Sequence, residues 1–406
     1  MIDRLLEGRL LTLIVGSVFR LVEILVRTVH ITVRGIRLLV QETVTSRIDR
    51  WLSGFGKRAI ARQARVDRSS IVLVRKDGEY TGDLKYIAEE ILRRGGSARI
   101  TWALHDRARG PFPREFRFVR FGTAAFFRTV AGAGVVIQDG RPLQESGARR
   151  GPAQLWLQAD GTVVGDAAAR DAASSGAAAS GEWSARGHAR NDLLVGATEE
   201  DRAAVRKRVL DRLAVADTGQ RFLLYTPAPG SHPGAVSLGG FDPVRVRAAL
   251  SERFGGTWEI LVRPPHTGTA ESAMMLAGLP AFCRNAALHP DLQELLAVAD
   301  AGLATGPGWI ADYLLTGRPA FVLTSSAEAP SSAPLIVARS SDGLLRAIAG
   351  FDADAHERGV AEHRRASRDD EDGRAASRIV DRIEELTGMT VGTDRTPTGH
   401  DERRAL

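Results

Sequence analysis

A chain of 406 residues is long enough for two or three domains, and a content of 44% hydrophobic and 26% charged residues excludes collagen, wholesale disorder and a polytopic membrane protein. The single cysteine, Cys283, excludes an internal disulfide framework and any zinc site with two or more thiolates, and it fits a reducing compartment. The net charge of +6 is unevenly placed: residues 1–68 carry 13 Lys and Arg against 6 Asp and Glu, a net of +7, which leaves −1 for the remainder. Folded domains without a basic stripe argue against a nucleic-acid partner.

In the basic segment, Leu10 to Phe19 is uncharged and mostly apolar, but ten residues are half of the ~20 needed to span a bilayer. Arg20, Arg27 and Arg34 then recur every seven residues beside Leu21, Leu25, Val29, Val33 and Ile36. On a helix this makes a basic edge next to an apolar one, the pattern of an interfacial anchor on an anionic membrane surface. Asp3 and Glu7 ahead of the apolar run argue against a signal peptide.

After Val66 the sequence alternates between strand and helix patterns. Strands are expected at Ser70 to Val74, Arg99 to Leu104, Phe116 to Val119, Val135 to Gln138 and Leu155 to Leu157, with helices at Asp83 to Arg94 and Thr123 to Ala133. Residues 165–181 form an Ala, Ser and Gly tract with no apolar face, which reads as a linker. A second series follows: helices at Glu199 to Leu213, Pro243 to Phe254, Pro290 to Val298 and Ile310 to Thr316, and strands at Arg221 to Tyr225, Trp258 to Val262, Ala301 to Ala304 and Ala320 to Leu323. Helical crossovers between strands imply parallel pairing. The expected organisation is an α/β fold: basic helices over 1–68, an α/β domain over 69–165, a linker over 166–186, a second α/β domain over 187–390 and a polar tail over 391–406, with the helix Ala375 to Thr387 packing back. No sequence repeat of 20–50 residues is visible.

Open parallel sheets bind ligands beyond the carboxyl ends of their strands, so the loops there are candidate sites. They hold Thr226 to Gly230, Arg263 to His266, and Thr305, Gly306, Pro307 and Gly308 opening a helix, where backbone N–H groups suit a phosphate. There is no Walker loop, G-x-S-x-G elbow, H-E-x-x-H helix or G-x-G-x-x-G at a strand end, and the histidines form no metal pair, so neither metal nor cofactor is expected.

Several stretches resemble the CDP-glycerol glycerophosphotransferase family, the teichoic-acid-type polyol-phosphate transferases. The closest likeness runs from Asp291 through Asp300, Gly302 to Thr305, and Asp312-Tyr313 to Arg318-Pro319. Gly82 to Ile87 with Trp102, Val135 to Pro142, Gly187 to Asp192, and Leu224 to Pro227 resemble further motifs in family order, so that the likeness covers about residues 70–325. The resemblance implies two Rossmann-like domains (GT-B-like), a CDP-polyol donor such as CDP-glycerol or CDP-ribitol, and transfer of its polyol phosphate to a lipid-linked acceptor at the cytoplasmic face of the cell membrane. It implies donor or phosphate binding by Arg190, Asn191, Asp192, Thr226, Arg263, Thr305, Gly306, Gly308 and Asp312, and catalysis by His266 and Asp160. Asp160 stands where the family's Trp-His-Gly-Thr motif has its histidine, and Gly306-Pro307-Gly308-Trp309 replaces the family's hydroxyl-bearing loop. Those departures leave two other readings open: a non-catalytic nucleotide- or glycan-binding relative, and a nucleotide-sugar glycosyltransferase.

Overall fold

The computed structural model describes residues 65–75, 77–95, 98–105, 111–139, 153–157, 163–165, 187–227, 241–264, 275–306, 308–324, 334–367 and 371–388. Residues 1–64, the linker and the polar tail read from the sequence lie outside them.

The first sheet is built from β1 (Asp67–Val74), β2 (Arg99–Leu104), β3 (Arg117–Arg120), β4 (Ala133–Asp139), β5 (Ala153–Leu157) and β6 (Val163–Gly165), in the order β3-β2-β1-β4-β5-β6. All neighbours are parallel except β5 and β6. The central strands β1 and β4 are apolar on both faces because helices cover both: Ile71, Val72, Leu73, Val135, Val136 and Ile137 are all essentially inaccessible. Helix α1 (Gly82–Arg94) covers one face with Leu84, Ile87 and Ile91, and α2 (Ala124–Gly132), capped by Thr123, covers the other with Phe126 and Val130.

After a turn at residues 189–191 come α3 (Asp192–Val195) and α4 (Glu199–Leu213), the latter opened by a capping box between Thr198 and Asp201. The second sheet comprises β7 (Arg221–Thr226), β8 (Trp258–Val262), β9 (Cys283–Asn285), β10 (Ala301–Ala304), β11 (Ala320–Leu323) and β12 (Ile336–Ala338), all parallel, in the order β12-β11-β10-β7-β8-β9. Numbered from its own first strand, it repeats the order of the first sheet, so two Rossmann-like domains share a strand order without sharing a sequence repeat, differing in the antiparallel β6. Its helices are α5 (Pro243–Phe254), α6 (Leu292–Val298), α7 (Trp309–Leu314) and α8 (Ser341–Ala349). One face is packed by α4, α6 and α7, the other by α5 and α8.

Helix α9 (Ala353–Ser367) leads back toward the first domain, and α10 (Ala375–Thr387) lies on it. Ala376, Ile379, Val380 and Ile383 join the core formed by Ile87, Ile91 and Trp102. Asp192 fastens the return, its two carboxylate oxygens accepting from the Ala375 and Ala376 N–H groups at 2.9 and 2.7 Å. Beside that cap the chain crosses itself at Gly196 and Gly373, where a Cβ on Gly373 would lie 2.6 Å from the Gly196 Cα. The three-residue strands β6, β9 and β12, the single turn α3, and the helices α8 and α9 add to those read from the sequence.

Candidate functional site

In each sheet the strand order reverses between the first and fourth strands, β1 and β4 in one and β7 and β10 in the other, which opens a crevice at their carboxyl ends. In the second domain this point is occupied by side chains. Thr226 ends β7, and its hydroxyl accepts a hydrogen bond from the indole N–H of Trp309, the first residue of α7. Trp309 also packs edge-on against Tyr313, with ring centroids 5.8 Å apart. Both rings lie over Gly302 of β10, where a Cβ would be 2.8 Å from Tyr313 and 3.2 Å from Trp309. The Tyr313 ring is held there by its hydroxyl, which donates to the Ala299 carbonyl at 3.0 Å. Gly302→Ala is therefore expected to cost about 1–3 kcal/mol by overpacking, a loss that urea unfolding would measure. Thr305 and Gly306 follow β10, and Gly308 opens α7 at φ +121°, a conformation open to glycine.

Where the two domains meet, charged and polar groups from α1, the 189–191 turn, α6 and α7 converge. The Arg190 guanidinium donates to Asp83 Oδ2 of α1 at 2.8 Å and to Asp312 Oδ2 of α7 at 3.0 Å, so one side chain ties both domains. Its backbone N–H adds a 2.9 Å bond to Asp83 Oδ1. Asn191 is buried, donating to Asp312 and Glu371 and accepting from Gln293 at 2.8 Å. His188 Nδ1 lies 2.9 Å from the Arg190 guanidinium and 3.5 Å from Asp83.

A second cluster adjoins this one. The Lys85 ammonium of α1 donates to Asp291 Oδ2 at 2.5 Å and to Glu294 Oε1 at 2.8 Å, both on the other domain, with all three side chains buried. Tyr86 donates its hydroxyl to Asp291 at 3.0 Å, His289 Nε2 is 2.9 Å from Glu294, and Arg208 donates to Glu294 at 3.1 Å. Arg263, following β8, donates to the carbonyls of His289 and Pro290 at 2.6 and 3.0 Å, which fixes the loop leading into α6.

These pairings shift the titrations. Burial alone would raise the Asp83 carboxyl, but the His188 contact, the Arg190 charge and the Arg190 N–H outweigh it and hold Asp83 down at about 2. Glu294 is likewise held well below the ordinary carboxylate range, burial being outweighed by His289, Lys85 and Arg208. Burial dominates at Asp192, raising it to about 6 despite its two N–H partners, and it also lowers the Arg263 guanidinium. A depressed folded-state value stabilises above the unfolded value, so the Asp83 contribution is complete above 3.8 and is lost as the pH falls through about 2. Asp83→Asn is expected to be less stable at neutral pH yet to lose stability less steeply between about pH 4 and 2, as urea titrations across that range would show.

The candidate residues thus fall into separate places. Arg190, Asn191 and Asp312 form one cluster between the domains, with both sides of the Arg190 guanidinium engaged by carboxylates. Thr226, Thr305, Gly306 and Gly308 border the switch point of the second sheet, Arg263 supports the α6 loop, and Asp192 faces α10. Asp160 and His266 lie outside the described residues. Sequence reasoning passed over Lys85, Tyr86, Gln293, Asp291, Glu294 and Trp309 as site residues, although most lie in the stretches that carry the family likeness. Among the described residues no helix is long and apolar enough to cross a membrane, and no group of three or more His, Cys, Asp or Glu could hold a metal ion.

No protein-family model and no curated protein matches the sequence. Solved structures do match. The wall teichoic acid polymerase TagF aligns with a TM-score of 0.61 and 16% identity, covering 88% of this chain and 98% of that one. The chain has the fold of TagF. A His→Ala variant of TagF gives a TM-score of 0.59 at 16% identity, over 86% of this chain and 98% of that chain. A His→Asn variant soaked with CDPG gives 0.58 at 16% identity, with the same coverage. With 88% of the chain covered, the likeness takes in both domains and is a likeness of fold.

Proposed function

We propose that this chain transfers a polyol phosphate, glycerol or ribitol phosphate, from a CDP-activated donor to a lipid-linked acceptor in cell-envelope polymer synthesis, as a divergent relative of TagF. The observation that carries the reading is a coincidence of motif and place. The stretches resembling the CDP-glycerol glycerophosphotransferases, Asp83 to Tyr86, Arg190 to Asp192 and Asp312-Tyr313, come together between the two domains of a TagF-like fold.

In this reading an acceptor hydroxyl attacks the phosphorus bonded to the polyol, the phosphoanhydride bond breaks, and CMP departs with the bond's electron pair. Asp160 takes the hydroxyl proton, and His266 stabilises anionic oxygens. Thr226, Thr305, Gly306 and Gly308 border the donor phosphates; Trp309 leaves the Thr226 hydroxyl as the donor enters. Arg190 and Asp312 set the angle between the domains, because their charges are already matched to one another and to Asp83. The basic segment ahead of β1 holds the enzyme at the cytoplasmic face of the membrane through Arg20, Arg27, Arg34 and Arg37 and the neighbouring apolar residues, Asp67 and Arg68 being part of β1 itself.

The test is CMP release from CDP-glycerol or CDP-ribitol by the full chain with membranes carrying the acceptor, with Asp160→Asn and His266→Ala expected to lower the rate by about a hundredfold or more. Absence of CMP release, with no calorimetric binding of either donor, would overturn the proposal. One specific feature favours binding without turnover: Asp160 occupies the family's histidine position. Donor binding with no CMP release would select that reading, and release from UDP- or GDP-sugars instead would select a glycosyltransferase.

A further inference from the structure

The edge of the first sheet carries an unusual surface. Six of the chain's 14 phenylalanines fall between positions 112 and 127, in the stretch that contains β3 and the start of α2. Phe116 and Phe126 are buried, one on each face of the sheet, and from them aromatic contacts run outward. On one face Trp102 meets Phe112, which meets Phe118 edge-on at 5.3 Å; on the other Phe126 meets Phe121 at 4.8 Å and Phe127 at 5.3 Å. The outermost rings reach solvent, Phe118 at 47% and Phe121 at 36% exposure. Around them Arg114, Arg117, Arg120 and Arg128 are all exposed, and Glu115 is the one acidic residue between positions 111 and 128.

We infer that this β3 edge is a lipid-facing surface, Phe118 and Phe121 entering the headgroup layer of an anionic membrane while the four arginines meet lipid phosphates. Aromatic rings beside arginine are suited to that layer, where the ring is half-dehydrated and the guanidinium stays hydrated against phosphate. The charge is complementary to an anionic bilayer. Strand addition by a second copy is disfavoured by β3 itself, which is only 4 residues long and begins and ends with arginine, a charged edge that resists ladder extension. The inference rests on the membrane-linked acceptor of the proposed function, and it places a second contact in the first domain, apart from the basic segment ahead of β1.

The test uses the full chain with Cys283→Ala, carrying an environment-sensitive dye at Phe118→Cys, at Phe121→Cys, or at Val244→Cys on α5 of the other domain, where the side chain is also exposed. With phosphatidylcholine–phosphatidylserine vesicles, the dyes at 118 and 121 are expected to shift to the blue and to become shielded from aqueous iodide, and the dye at 244 to remain in water. Changing Arg114, Arg117 and Arg128 together to Gln should weaken vesicle partition by about tenfold or more and reduce its salt dependence. Vesicle-bound protein whose 118 and 121 dyes both stay open to iodide would overturn the inference and leave the contact to residues 1–68. So would no vesicle binding at all, or a dimer by light scattering whose dyes are shielded without vesicles. CMP release is read independently, so failure of the proposed reaction and failure of this surface are separate results.

Discussion

Lys85→Ala is expected to destabilise the protein by about 3–5 kcal/mol, because it leaves the Asp291 and Glu294 carboxylates buried without their shared ammonium. Arg208 and His289 still approach Glu294, but Asp291 keeps only the Tyr86 hydroxyl as a side-chain donor across the domain interface. Since Lys85 belongs to one domain and both acids to the other, the lost energy is coupling energy. Calorimetry should show one unfolding transition for the unsubstituted chain and two for the variant. Lys85→Met combined with Asp291→Asn and Glu294→Gln should recover most of the loss, as apolar or neutral replacements of buried ion pairs commonly do. A loss below about 1 kcal/mol for Lys85→Ala would show that water reaches the two acids.

Gly373→Ala is expected to cost about 2–4 kcal/mol through two additive terms. Its φ of +76° lies in the left-handed region, and its new Cβ would meet the Gly196 Cα at 2.6 Å, backbone that no rotamer change can move aside. Gly196→Ala meets the same crossing from the other side, its Cβ 2.9 Å from the Gly373 carbonyl oxygen. The two changes should be strongly non-additive in a double-mutant cycle, since either alone already forces the chains apart. Strict additivity in urea unfolding would show that the crossing does not act as one contact.

Much of the fold was legible from periodicity. Helices α4, α5 and α10 and strands β2, β8, β10 and β11 occupy the residues expected of them, because each has a full apolar face or a continuous apolar run between turn signals. Strands β6, β9 and β12, at 3 residues each, are too short to show a period, and α9 has only a narrow apolar stripe. The site was legible in part. Motif order singled out Arg190, Asn191 and Asp312 together, but nothing local announces that Lys85 meets Asp291 across 206 positions of sequence. Asp192 was read with the donor-binding candidates from its place beside Arg190 and Asn191; its carboxylate caps α10, a contact that depends on the whole path of the chain. Trp309 looked like the loss of a hydroxyl, whereas in three dimensions its indole spans the switch point to Thr226.

The return of α10 to the first domain sets an order of events during synthesis. Its side chains Ile379, Val380 and Ile383 cover the apolar surface formed by Ile87, Ile91 and Trp102, and they leave the ribosome only after the entire second domain. The domain that begins first therefore finishes last, and its sheet waits with one side incompletely covered while its neighbour folds. A chain that stops short of Ala375 would release a second domain with its central sheet complete beside a first domain showing an apolar stripe, a form open to chaperones and proteases. Docking of α10 thus makes completion of the first domain's core wait on synthesis of the second.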